Sequence, residues 1–150
     1  MGWIQDIKLY QADRDALIAL RYDLEEIDEA FRKRTAGLKS HEDEYQHRLG
    51  EYFDELDYSR AEIAQIETKQ MRRRTARWRI PLPQRPKKFE EKDEFWDWHA
   101  PHGQHYLSEK AMSHLRREIH TEWEMWWKPW LSWFAIIASF LSLAISIFKS

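Results

Sequence analysis

The run WLSWFAIIASFLSLAISIF, Trp130 to Phe148, carries no charged residue. No other stretch constrains the fold as much, because so much uncharged apolar surface must be covered by protein or by lipid. As a helix it would reach about 28 Å at 1.5 Å per residue, close to the ~30 Å hydrocarbon core of a bilayer. Lys128 and Lys149 flank it, and their long stems can carry an ammonium group to either surface. Trp123, Trp126, Trp127, Trp130 and Trp133 crowd its start, where tryptophan typically marks a membrane–water boundary. The expectation is a transmembrane helix over 130–148, with those tryptophans and lysines at the interface. The alternative, a buried core helix, asks more apolar cover than the polar remainder of the chain supplies.

Within this run Ser132, Ala135, Ser139, Ser142 and Ser146 step by three and four, which places them on one helical face. Lipid-facing surfaces favour bulky apolar groups. A small, hydroxyl-bearing stripe instead predicts close packing against other helices, or a narrow water-filled lumen within a ring of them. Serine can also bond back to its own helix carbonyls, so hydroxyls alone do not demonstrate a contact.

The rest of the chain reads as long helices. Charged residues make up 33% of it, against about 25% in ordinary globular proteins, and glycines number only four. Trp3, Tyr10, Leu17, Leu20, Leu24, Ile27, Phe31 and Leu38 mark a heptad seam, best populated between Leu17 and Phe31. Gly37 and Ser40 suggest a break. A second seam follows at Tyr45, Leu49, Tyr52, Leu56, Ile63 and Ile66, with Ser59 interrupting. The pattern predicts an antiparallel helical hairpin or coiled coil over 1–78; one uninterrupted helix is the other option. Each stripe is narrow, so further copies of the chain are expected to complete the burial.

Pro81, Pro83 and Pro86 then stop helix formation, and 79–107 reads as an irregular Pro/Trp/His-rich connector. Ser108 is placed to cap a third, amphipathic juxtamembrane helix over 108–128, with Met112, Leu115, Ile119, Trp123 and Trp126 on one face. Pro129 interrupts or kinks the chain before the apolar run. The expected fold class is all-α, assembled as a homo-oligomeric bundle.

Formal net charge is −2, yet residues 69–88 hold nine Lys or Arg and no acid. Arg72, Arg73, Arg74, Arg77, Arg79, Arg85, Lys87 and Lys88, with Trp78 among them, form a candidate phosphate-binding stretch. Guanidinium forks match phosphate oxygens, and an indole face can stack a base. Two other readings compete: attraction to anionic lipid, and a structural role at a helix C-terminus or against the acidic FEEKDEFWD that follows.

The chain has no cysteine, which excludes disulfides, thiol nucleophiles and Cys-based zinc sites. His99, His102 and His105 recur every three residues, but the intervening Pro101 and Gly103 do not fix a tetrahedral metal site. No phosphate-cradling glycine loop, nucleophile elbow or HExxH helix is present. The expectation is a protein without catalytic residues, metal or cofactor. The N-terminus shows no apolar leader.

The stretch YLSEKAMSHLRREIHTEWEMWW, residues 106–127, leads directly into the apolar run. Together with the helical N-terminal region and the Arg/Trp stretch at 69–88, it resembles the membrane effectors of bacterial anti-phage systems, in architecture the oligonucleotide-gated effector of the Hailong type. The resemblance implies an oligomeric effector, a tetramer by this likeness alone. It would act as a ligand-gated ion channel or membrane-disrupting pore whose cytosolic helices sense a nucleotide or single-stranded oligonucleotide. It also implies single-pass placement in a bacterial inner membrane, with the N-terminal bulk cytoplasmic. The alternative is a non-conducting, membrane-anchored coiled-coil scaffold or tether.

Overall fold

A computed structural model of the chain describes residues 3–88, 91 and 93–149, and the side chains of all of these except 3, 4, 6 and 142–149. The first helix, α1, spans Trp3–Thr35. Its exit is built locally: the Thr35 hydroxyl donates to the Phe31 carbonyl at 2.8 Å, the Leu38 N–H reaches the Thr35 carbonyl at 3.0 Å, and Gly37 takes a left-handed φ of 92°. Arg32, Lys33 and Arg34 fill its last turn, where cations oppose the helix dipole. The second helix, α2, spans Asp43–Trp78 and begins with the acids Asp43 and Glu44, the complementary arrangement.

The two helices run antiparallel. Phe31 stacks on Tyr52 at 4.4 Å and meets Tyr45 edge-on at 6.0 Å, while the Tyr52 hydroxyl donates to Asp28 at 3.2 Å. At the far end Arg73 pairs with Asp13 at 2.5 Å. The hairpin therefore forms in place of one uninterrupted helix, and Leu17, Leu20, Leu24, Ile27 and Phe31 are all half-buried, as the heptad seam requires. Among the described residues, α1 has no fully buried side chain.

α2 ends in a left-handed cap that sequence alone does not announce. Arg79 adopts φ 56°, its N–H reaches the Ala76 carbonyl at 3.3 Å, and the Ile80 N–H reaches the Thr75 carbonyl at 3.0 Å. Glycine usually fills this position; a side chain there is strained. The chain then runs extended through the prolines, with Ile80 buried.

Two findings correct the all-α expectation. The stretch 79–107 is not irregular throughout. It holds an antiparallel two-stranded sheet, β1 (Trp96–His99) and β2 (Gln104–Leu107), joined by a 3-10 turn at Ala100–His102. Trp96 pairs with Leu107, Asp97 with Tyr106, Trp98 with His105 and His99 with Gln104. Alternation puts Trp96, Trp98, His105 and Leu107 on one face. The second correction is that 108–128 and 130–148 are not separate helices. One helix, α3, runs Glu109–Lys149 through Pro129. Proline there removes the N–H bond to the carbonyl four residues back and its ring crowds that carbonyl, yet the helix continues through it.

The cap expected at Ser108 is present. Its hydroxyl accepts from the Ala111 N–H at 3.2 Å and donates to the Glu94 carbonyl at 2.9 Å. Met71 of α2, Ile80, Trp96, Leu107, and Ala111, Met112 and Leu115 of α3 close around one core, with Trp78, Leu82, Phe95 and Ile119 packed at its edge. Thr68 fixes the sheet to α2 by accepting the Leu107 N–H at 2.9 Å.

Among the described residues, no helix is long and apolar enough to cross a membrane. This overturns single-pass placement in a bacterial inner membrane. Side chains of the apolar run are described as far as Leu141. A crossing extended upstream of Pro129 would draw Glu122, Glu124 and Lys128 into hydrocarbon.

Candidate phosphate-binding groove

The structure divides the basic stretch in two. Its α2 half serves partly as scaffold: Arg73 pairs with Asp13, and Trp78 packs half-buried at the edge of the core. Arg72, Arg74 and Arg77 sit exposed on α2, and Arg79 is the strained cap.

The second half reaches a cavity. Arg85, Pro86, Lys87 and Lys88 form one wall of an open groove of about 700 Å³, and Trp98, Gly103 and His105 of the β-hairpin form the other. Local chemistry sets each position. Burial of Ile80 and Leu82 anchors the extended segment, and the half-buried Pro83 and Pro86 keep it from coiling. Gly103 at φ 56° ends the 3-10 turn and brings β2 back beside β1. The cross-strand pair Trp98–His105 then stands side by side, rings 4.9 Å apart and inclined at 65°.

The electrostatics of the groove are one-sided. Three cations line it and, among the described residues, no carboxylate does. Among the described acids nearby, Glu94 pairs with Lys110, and Asp93 accepts the Phe95 N–H at 2.7 Å. Behind the groove Tyr106 is 5% exposed; burial pushes its phenol upward, and the nearby Arg85 guanidinium pulls it partly back.

The three histidines serve separate contacts. His102 Nδ1 lies 2.7 Å from the Tyr106 hydroxyl, and its ring meets Tyr58 of α2 edge-on at 5.6 Å. His99 tilts against Tyr106 at 5.4 Å, and burial lowers its pKa from the ordinary value. Only His105 lines the groove. Among the described residues, no group of three or more His, Asp and Glu is placed to hold a metal ion.

Of the residues singled out from sequence, Arg85, Lys87 and Lys88 come together here, whereas Arg72, Arg73, Arg74, Arg77, Trp78 and Arg79 do not line the groove. Trp98 and His105 were missed as site residues. Their signal lay in the alternation of EFWDWH, which reads as a strand once a pairing partner is supplied.

The apolar run shows different chemistry. Ser132 donates to the Lys128 carbonyl at 3.3 Å and Ser139 to the Ala135 carbonyl at 2.9 Å, so both hydroxyls bond back to their own helix. The side chains of Ser142, Ser146 and Lys149 lie outside those described. Trp123, Trp126, Trp127, Trp130 and Trp133 are exposed, and Lys128 pairs with Glu124 at 3.5 Å.

Comparison of the chain with protein-family models, with curated proteins and with solved structures gives no match.

Proposed function

We propose that this chain is a non-catalytic, self-associating helical protein that senses a nucleotide or single-stranded oligonucleotide through its phosphates. The observation that carries this reading is the groove: Arg85, Lys87 and Lys88 line about 700 Å³ together with Trp98 and His105, with no carboxylate among the described lining residues. A guanidinium fork and two ammonium groups match phosphate oxygens, and an indole beside them suits a base. Ile7, Leu9, Tyr10, Ile18 and Tyr22 remain exposed on α1, which supports self-association along that helix. The resemblance to anti-phage effectors supports the same class of ligand. A membrane crossing is not part of this reading.

The test is fluorescence anisotropy of a labelled single-stranded oligonucleotide across a salt series. Replacing Arg85, Lys87 and Lys88 together by Ala should weaken binding at low salt and flatten the log–log salt slope by about 2, since each neutralised phosphate of a single strand contributes ~0.7. Replacing Arg72, Arg74 and Arg77 by Ala should have the smaller effect. Binding lost in the second variant and kept in the first would overturn the groove.

A further inference from the structure

His105 is only 5% exposed, yet its Nε2 has no hydrogen-bond partner among the described residues. A buried ring nitrogen without a partner is unfavourable, and a phenyl ring of similar shape would avoid the penalty. Trp96 Nε1 is likewise unpartnered, but it belongs to the core. His105 belongs to the groove wall, beside three cations and Trp98. An anionic oxygen entering between those cations is the group that an Nε2–H would bind. A charge-assisted bond formed there would repay the desolvation already incurred in the empty fold.

The dimensions narrow the ligand further. About 700 Å³ falls within the ~300–1,000 Å³ typical of small-molecule sites, and a lone phosphate would leave most of it empty. A terminal phosphate presents three free oxygens and up to two negative charges. An internal phosphodiester presents two oxygens and one charge. Three cations and one N–H donor match the terminal group better. Trp98, 41% exposed and paired across the sheet with His105, lines the same groove.

Resting on the phosphate-sensing reading above, we propose that the groove is a site for a nucleoside monophosphate or the phosphorylated end of an oligonucleotide. His105 Nε2 binds a phosphate oxygen alongside Arg85, Lys87 and Lys88, and Trp98 receives the base. His105 is thus a binding residue retained at the expense of stability.

Calorimetry on the full chain tests this with cytidine 5′-monophosphate, cytidine and ribose 5-phosphate. The monophosphate should bind, and cytidine should bind at least about 10-fold more weakly, having lost the charged contacts. Ribose 5-phosphate should also bind about 10-fold more weakly, the scale of one base–aromatic stack, and Trp98→Leu should close that gap. His105→Phe should lose about 10-fold in monophosphate affinity while raising the urea midpoint, because the unpaired atom is gone. His105→Gln, which keeps an N–H near the same place, should retain most of the affinity. Unchanged monophosphate affinity in His105→Phe, or a lowered midpoint, would overturn the assignment. Failure of the wild-type protein to bind the monophosphate, with oligonucleotide binding still dependent on Arg85, Lys87 and Lys88, would sink this inference and leave the broader reading standing. Oligonucleotide binding indifferent to those three cations would sink both.

Discussion

Two parts of α3, its start and the stretch Trp123 to Leu141, both carry apolar residues that meet opposite fates. Near its start Ala111, Met112 and Leu115 are buried against α2 and the β-hairpin, while Arg116, Arg117 and Glu118 face outward. From Trp123 to Leu141 every side chain but the half-buried Glu124 is exposed, Phe140 to 71%. The difference lies in pattern and supply. The first part is apolar on one face, so it selects one neighbour, and α2 with the sheet provides it. The second is apolar all round, so no face selects a partner within the chain, and no described element reaches it. Apolar content by itself does not decide burial.

Three measurements test this contrast, the largest effect first. Leu115 is 3% exposed in the core, so Leu115→Ala should cost about 3 kcal/mol of unfolding free energy, as buried leucine truncations do. Leu131 is exposed on the same helix, and Leu131→Ala should stay within about 0.5 kcal/mol. Equal losses in urea titrations would mean that the distal part of α3 is buried in solution.

A smaller effect separates the serines. Ser108 caps α3 and also holds the Glu94 carbonyl, so Ser108→Ala should cost about 1 kcal/mol. The Ser139 hydroxyl only returns to its own helix. Ser139→Ala should be neutral, or stabilising by up to about 0.5 kcal/mol through helix propensity. A clear loss at Ser139 would indicate that its hydroxyl has a partner in another chain.

The smallest effect is pH dependence, and it should belong to the packed region. His99 faces Tyr106, with Asp97, His102 and Asp57 nearby. Burial holds its folded pKa below the ordinary 6.5. The unfolded chain therefore takes up this proton first. The stabilisation is complete above about pH 6.5 and is lost as pH falls toward the folded value. His99→Gln should flatten the decline in urea midpoint between pH 7.5 and 5.5. An unchanged slope would assign that decline to other groups.

Much of the helical framework was legible in the sequence. The half-buried residues Leu17 to Phe31 follow the heptad seam, Gly37 marks the break, and Ser108 caps the third helix. These are local properties: periodicity, a left-handed turn and a capping hydroxyl all act within a few residues. The β-hairpin was not legible. Four-residue strands carry little pattern, and Trp96–His99 is a strand only because Gln104–Leu107 pairs with it and Thr68 of α2 anchors it. The basic stretch was legible as charge but not as geometry. Arg73 and Arg85 look alike in sequence, yet one pairs with Asp13 and the other lines the groove.

The sequence by itself determined the seam of α1, the break at Gly37 and the Ser108 cap of α3, because periodicity and capping are settled among near neighbours; it did not determine that α3 runs on through Pro129. Only the tertiary structure decided which cations share a surface and which aromatic stands beside them. It also decided which apolar face finds cover. Each of those depends on residues far apart in the chain arriving at one place, and local chemistry does not specify that meeting.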